Sequence, residues 1–597
     1  MALAGVESFS RARVERRGGD LAKAGCGEGR RTKNNLRLTV SVGWTSARYH
    51  LKTRPDPTRL PTASLNLLRS VGDLELDLSA FFLPLAPPPP QSPVPTRAKM
   101  ATKRLRSFHR WMRSNGVECS DALALVDDPS TKSISVLSIS DLSEGDLVAT
   151  IPKSACLTIL TCGAREVIQT AGLAGVLGLT VALMYERALG PASQWFDYFG
   201  VLPERECVPL VWSDEQVESL LAGTELDKIV KQDKQFMSED WEECIEPLIG
   251  SFNLGADSFS LENYFSAKTL VSSRAFEIDE YHGYGMVPLA DLFNHKTGAE
   301  HVHFTRPESD DEGDDDNNDD EDDDDDDDDD KISELSGDEQ SSVVDHSTSS
   351  SDNTQGDNPA ALEMIIVRHV NAGSEVFNTY GYTGNAALLH RYGFTESDNQ
   401  FDIVNIELTL VLKCCSSQFS KLYTRSRLSL WRKLNFSGCT SQNSEYFEVS
   451  CNGEPQFELL TLLYIIYLNE KSFDKLGTMV DSLVNEDELS CTIDLISIGG
   501  GNCNFKKDGI QDANDLNKFL LTKSVCKALV MLADLRESLY GPVSLKDDEI
   551  KLKECTPVEE RKLYHSLVLR ISERRILGRL RDYASKFGSR NKKRKIF

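Results

Sequence analysis

An acidic run without a single basic residue sets the first limit on how this chain can fold. Between Glu308 and Asp330 there are sixteen Asp and three Glu with no Lys or Arg, followed by Ser- and Asn-rich sequence to about Pro359. Like charges at this density repel one another, and the stretch has too little apolar surface to offset chain entropy, so 308–359 is expected to be a solvated, disordered loop. Strand-like sequence flanks it at His301–Thr305 and Leu362–His369. A fold tolerates such an insertion when its ends sit side by side, because closure cost rises only as about (3/2)RT ln n.

The run also accounts for most of the net charge. Of the formal −27 carried by 597 residues it contributes −19, leaving −8 for the rest. No basic surplus points to the phosphate backbone, so no direct nucleic-acid partner is expected. Fourteen Cys are scattered from Cys26 to Cys555 without any C-x-x-C pair. That argues against zinc modules and dithiol redox motifs and for a reducing compartment. No apolar run approaches the roughly 18 to 20 residues that a membrane span needs, so no membrane association is expected.

Residues 1–99 combine scattered Arg with Pro-rich Leu85–Gln91 and lack periodicity, and they read as disordered or as a gene-model extension. Glu7, Glu15, Asp20 and Glu28 argue against a transit peptide, which is poor in acids. Met100 opens a basic amphipathic helix. Short strand patterns run from Ile134 to Leu160, and helical patterning takes over from about 174 to 273, with Asp214 and Asp257 as expected N-caps. Strands return at His301–Thr305, Leu362–His369 and Glu375–Thr379. Beyond Asp402 a strand-like run, Ile403–Leu412, leads into helices at Phe457–Leu468, at Leu516–Leu539 and around Leu563, Leu567 and Ile571. The expected units are therefore 1–99, 100–395, a helical 402–588 and a basic tail, 589–597. Lys592–Lys595 in that tail reads as a nuclear import signal, giving nucleus or cytoplasm as the expected location.

Two polar-tipped apolar segments concentrate the chemistry. Val287-Pro-Leu-Ala-Asp-Leu-Phe-Asn-His295 gathers an Asp, an Asn and a His within five positions, and Asn378-Thr-Tyr-Gly-Tyr-Thr-Gly-Asn385 closes a strand pattern on Tyr-Gly. With Gly145–Lys153, Leu183–Arg187, Ser193–Tyr198 followed by Leu202-Pro203, and Ser273–Phe276, they occur in an order that resembles the SET-domain methyltransferases. The likeness is to the family of the Rubisco large-subunit lysine methyltransferases and their ribosomal-protein relatives. It covers about residues 104 to 395, and more loosely to about 585.

The resemblance implies an α+β fold: a β-rich SET fold with a helical insertion, then a helical C-terminal substrate-binding domain. It implies S-adenosyl-L-methionine as cofactor and lysine N-methylation of a non-histone protein, basic or ribosomal, by a monomeric enzyme. Tyr380 would be catalytic. Lys132, Ser133, Ile134, Arg274, Asn294 and His295 would hold the cofactor, and Asp291, Tyr392 and Phe394 would border the target lysine. Methyl transfer to an amine demands positioning and a neutral nucleophile, whereas free lysine has a pKa of about 10.4. An aromatic channel lowers that value by desolvation, and a nearby sulfonium lowers it further. An Asn offers the donor and acceptor that a zwitterion needs, and an Arg offers a bidentate contact to its carboxylate. Arg274 and Asp291 could instead simply pair to close a helix end.

Ser133 and Ser135 stand where the family has Gly-x-Gly, which bears on how closely the backbone approaches a cofactor. Two alternatives therefore stay open. One is a non-catalytic SET-fold adaptor for basic proteins. The other is histidine methylation, although the branch that performs it carries Asn where this chain has Ala275. His301 and His303 share a strand face but lack a third ligand at fixed spacing, so no metal is expected.

Overall fold

The computed structural model describes residues 102–128, 133–252, 255–305, 361–433, 446–480 and 513–593, all within one compact unit. The expectations for 1–99, Lys132, the acidic loop and the last four residues of the basic tail lie outside the described residues.

The first helix, α1 (Lys103–Ser114), starts where Thr102 Oγ1 accepts the Leu105 amide and buries Leu105, Phe108, Trp111 and Met112, the 3–4 spacing of one helix face. Strands β1 (Glu118–Cys119), β2 (Leu123–Asp127), β3 (Ile134–Ser138), β4 (Leu147–Pro152) and β5 (Leu157–Thr158) follow. The helical insertion holds α2 (Arg165–Thr170), α3 (Gly175–Ala188), α4 (Phe196–Phe199), α5 (Asp214–Leu220), α6 (Leu226–Asp240) and α7 (Leu261–Arg274). Then come β6 (Ala275–Asp279), β7 (Gly283–Met286), β8 (Val302–Thr305), β9 (Ala361–Ile366) and α8 (Asn385–Tyr392).

Three small sheets frame this half. β2 and β3 form a two-stranded ribbon, β5, β7 and β6 a three-stranded sheet, and β1, β4, β9 and β8 a four-stranded one in that order. β8 and β9 pair antiparallel from Val302↔Ile366 to Thr305↔Glu363, so the chain leaves and re-enters on adjacent strands around 306–360.

The second half is helical apart from one ribbon. β10 (Val404–Glu407) pairs with β11 (Tyr446–Val449), amid α9 (Leu408–Ser416), α10 (Lys421–Lys433), α11 (Phe457–Tyr467), α12 (Glu470–Val480), α13 (Ala513–Leu520), α14 (Lys523–Glu537), α15 (Leu545–Glu554) and α16 (Arg561–Lys593). One apolar core runs from Leu105 to Val376 and another from Val404 to Ala584. A small cluster including Trp212, Leu221, Leu389 and Leu569 joins them.

Several local expectations are corrected. α5 and α7 are capped by Ser213 and Ser260, not by Asp214 and Asp257. Gln216 answers Ser213 in a capping box, a reciprocal bond that Asp214 at the first helical position cannot make. The strand expected over Ile403–Leu412 stops at Glu407, because Leu408, Val411, Cys414 and Cys415 bury at helical spacing. The helix expected over Leu516–Leu539 breaks before Thr522, which caps α14. Glu375–Thr379 forms no ladder; it touches β3 at Leu137↔Glu375 and the Asn294–His295 segment at His295↔Asn378. His301 precedes β8, and its Nδ1 accepts the Phe377 amide at 3.2 Å.

Candidate active site

The segment from Val287 to Phe293 is buried throughout. Leu289 sits within it at a φ of +79°, a left-handed conformation that costs a branched residue about 1 to 3 kcal/mol and survives only where packing dictates it. Here it swings the chain into the short turn Ala290–Leu292, which buries Asp291 and delivers Asn294 and His295 to the surface of the core.

Asn294 is fixed on both sides. Its Nδ2 donates to Glu375 Oε1 at 2.7 Å and to Ile134 O at 3.3 Å, and its carbonyl accepts the Asn378 amide at 2.8 Å. The two polar-tipped segments are thus joined, and joined to β3. His295 Nδ1 accepts the Tyr380 amide at 3.0 Å, leaving its other nitrogen to donate to Thr297 Oγ1 at 3.2 Å. Burial lowers its pKa, so the imidazole is neutral.

Tyr380 stacks on His295 with ring centroids 5.1 Å apart and on Tyr392 at 4.4 Å. Phe394 extends the surface, 6.3 Å from Tyr392 and 6.1 Å from His295. Burial raises the Tyr380 pKa, which keeps its hydroxyl protonated, and that hydroxyl donates to Phe293 O at 3.1 Å. Glycine at the αL position, Gly393 with φ +75°, ends α8 between the two wall aromatics.

The polar side of the site comes from the helical insertion. Arg274, last residue of α7, donates from Nε to Glu206 Oε1 at 2.7 Å and from Nη1 to Asp291 O at 2.8 Å. Its contact with the Asp291 carboxylate is looser, 3.8 Å. Burial opposes the guanidinium charge, but Glu206 and Asp291 more than offset it. Asp291 Oδ2 accepts the Tyr198 hydroxyl at 2.7 Å, while among the described residues the buried Oδ1 has no hydrogen-bond partner. Desolvation outweighs the pull of Arg274 and pushes this carboxyl up to about 6.

The structure therefore brings together Ile134, Arg274, Asp291, Asn294, His295, Tyr380, Tyr392 and Phe394. Ser133 lies at the mouth of the β2–β3 ribbon, its carbonyl accepting the Asp128 amide at 3.0 Å; Lys132 is outside the described residues. Arg274 and Asp291 do not simply pair to close a helix end, since the closest bond is to the Asp291 backbone and each side chain has a stronger partner elsewhere.

Four participants escape single-sequence reasoning about sites. Tyr198 falls within a recognisable run but carries no sign of its Asp291 bond. Glu206, Glu375 and Glu396 sit in loops, and Glu396 reaches the Thr297 amide at 3.0 Å only through tertiary contact.

Sequence and structure comparisons bear on this geometry. No family model matches the chain. It is 26% identical over 317 residues to "N-lysine methyltransferase setd6" of Xenopus tropicalis, covering 49% of this chain and 57% of that protein. It is 26% identical over 326 residues to "Ribosomal lysine N-methyltransferase 3" of Saccharomyces cerevisiae, covering 46% and 58%. The first matches thus span less than two thirds of those relatives' length. The similarity to setd6 of Danio rerio is longer, 22% over 517 residues, covering 81% of this chain and 96% of the relative. Rubisco LSMT bound to AdoMet superposes with a TM-score of 0.53 at 18% identity, over 82% of this chain and 93% of that one. The SET domain of LSMT bound to lysine and AdoHcy gives 0.53 at 17%, over 82% and 92%. By fold the chain is similar to Rubisco LSMT, and by sequence it is similar to proteins named as lysine N-methyltransferases.

Proposed function

We propose that the protein is a protein-lysine N-methyltransferase that uses S-adenosyl-L-methionine. The observation that carries this reading is the buried, unpartnered Asp291 Oδ1 at one side of a wall made by Tyr380, Tyr392 and Phe394. An orphaned carboxylate oxygen beside stacked aromatics suits a cation that arrives through an apolar passage. The names of the relatives, N-lysine and ribosomal lysine methyltransferases, point the same way.

The donor set fits the cofactor. Among the described residues no partner takes Asn294 Oδ1, which is free for an ammonium, and the Arg274 guanidinium suits a carboxylate. Ile134 borders the same face through its carbonyl, which accepts from Asn294 Nδ2. When bound, the cofactor supplies an electrophilic methyl on a sulfonium. The residues of this chain do the rest: the aromatic wall strips water from the target ammonium and favours its neutral form, and Asp291 attracts the cation on arrival. Tyr380 presents a protonated hydroxyl to orient the amine. Arg274 and Asn294 would hold the cofactor's amino-acid end, so that its methyl would face an amine seated against Tyr380, Tyr392 and Phe394.

Residues 402–588 are proposed as a domain that docks the substrate protein, and a basic or ribosomal protein in the nucleus or cytoplasm is the proposed target. The adaptor reading draws on Ser133 and Ser135 and on the engagement of Asn294 Nδ2 by Glu375. Calorimetric titration with S-adenosylmethionine, followed by transfer of labelled methyl to a lysine peptide array, separates the two. Binding with transfer to lysine supports the enzyme. Binding of basic proteins without any cofactor heat supports the adaptor, and transfer confined to histidine would replace lysine as the target.

A further inference from the structure

The wall of the candidate channel is held from outside the SET core. α16 carries Arg561, His565 and Ser572, whose i, i+4, i+11 spacing puts them on one helix face. Each reaches the strip that bears Tyr392 and Phe394. Arg561 Nη2 donates to Gly393 O at 3.1 Å. His565 Nδ1 receives the Thr395 amide at 3.1 Å and lies 2.9 Å from Thr395 Oγ1, so this imidazole acts as an acceptor.

Ser572 works through a relay. Its hydroxyl donates to Asp402 Oδ2. Asp402 accepts the Asn385 amide at 2.6 Å and Asn385 Nδ2 at 2.8 Å. Asn385, fully buried, then grips Glu396 from both sides, with Nδ2 to Glu396 O at 2.9 Å and Glu396 N to Asn385 Oδ1 at 2.7 Å. Glu396 in turn accepts the Thr297 amide next to His295. The chain from α16 to the His295 face is continuous.

We propose that His565, with Arg561 and Ser572, positions the Tyr392–Phe394 wall, so that the C-terminal helical region tunes the methyl-transfer step in addition to any docking of substrate. The inference rests on the methyltransferase reading, but the brace itself is a geometric statement with its own readout. His565 is a positioning residue: it touches neither cofactor nor target and acts through Thr395. The preceding turn is tied as well, since the Gly393 carbonyl accepts from Arg561.

The test uses the full chain and two variants. In His565→Ala the Thr395 amide loses its acceptor; in His565→Asn the Oδ1 atom stands where Nδ1 stood and restores it. Amide hydrogen exchange at Thr395 is expected to speed up at least roughly tenfold in His565→Ala and to return towards wild type in His565→Asn. Turnover on a short lysine peptide identified from the array is expected to fall roughly tenfold in His565→Ala with S-adenosylmethionine affinity unchanged, and to recover in His565→Asn. Unchanged exchange at Thr395 overturns the brace. Faster exchange with normal peptide turnover, and only a raised KM for whole protein, overturns its role in transfer. A wild-type protein that methylates no lysine would overturn the enzymatic reading, with the exchange result still deciding the brace.

Discussion

Two buried polar clusters in this molecule differ in how completely they are satisfied. At the junction between the helical insertion and the C-terminal helices, Arg536 donates to Gly223 O, to Asn405 O at 3.1 Å and to Glu225 at 3.3 Å. Arg570 donates to Ala222 O at 3.0 Å, Arg574 to Asp548 at 2.8 Å and Glu537 at 2.6 Å, and the Tyr540 hydroxyl to Glu573. The junction leaves only the neutral amide oxygen Asn405 Oδ1 without a hydrogen-bond partner among the described residues, whereas the candidate site leaves two carboxylate oxygens so, Asp291 Oδ1 and Glu396 Oε2. A cluster whose charges are matched internally holds two parts of a fold together. A cluster that keeps buried carboxylate oxygens open has acceptors left over for a ligand.

The comparison is sharpest where the junction is cut. Arg536→Ala strands Glu225 and Glu573 in the interior, and breaking a buried pair of this kind costs about 3 to 5 kcal/mol. Chemical denaturation should register that loss. A change below about 1 kcal/mol would mean that the junction is no more committed than the site.

A large effect is also expected from pH, and with opposite sign in two places. The Asp291 carboxyl is raised to about 6 from 3.8, so the folded state binds its proton more tightly and this group's contribution to stability falls as pH rises from about 4 to about 6. A shift of that size corresponds to about 3 kcal/mol. The His565 imidazole is lowered to about 4 from 6.5 by burial and by Arg561; its contribution is present above 6.5 and is lost as pH falls towards 4. Stability against pH for Asp291→Asn should therefore lack the decline between 4 and 6, while His565→Asn should lack the acid-side loss. Identical profiles for wild type and both variants would refute the two assignments together.

Tyr380→Phe tests the site by rate. Removing one oriented hydroxyl from a water-poor site should lower turnover about a hundredfold while cofactor affinity stays level. Retained turnover would make Tyr380 a wall residue only. Smaller still is Asn294→Ala, which should weaken S-adenosylmethionine binding roughly tenfold to a hundredfold, equivalent to about 1 to 3 kcal/mol. Calorimetry reads this directly, and normal affinity would move the cofactor away from Asn294.

Legibility in the sequence followed the range of the interactions. The Val287–His295 and Asn378–Asn385 segments drew attention because each ends an apolar run on clustered polar side chains, and the structure joins them by Asn378 N to Asn294 O and by Tyr380 N to His295 Nδ1. Glu375 was legible only as part of a strand pattern, although it holds the Asn294 amide. Helix limits failed by one to three residues at Ser213 and Ser260, where a hydroxyl and an acid compete for the same cap and sequence gives both a claim. The run from Ile403 to Leu412 misled because buried strands and buried helix turns are both simply apolar over ten residues.

By itself the sequence determined the acidic insertion between two strand patterns, the alternation of β-rich and helical stretches, and the residue types available for a site, since each depends on composition or on spacing within a few turns. Tertiary structure alone decided that Tyr198 and Glu206 should grip Asp291 and Arg274 from the helical insertion, that Asp291 should keep an oxygen open, and that His565 should brace Thr395 from 170 residues away. Those outcomes depend on which surfaces become buried against one another. Burial sets the strength of a charge and the cost of an unmade hydrogen bond, and no local pattern in the chain records it.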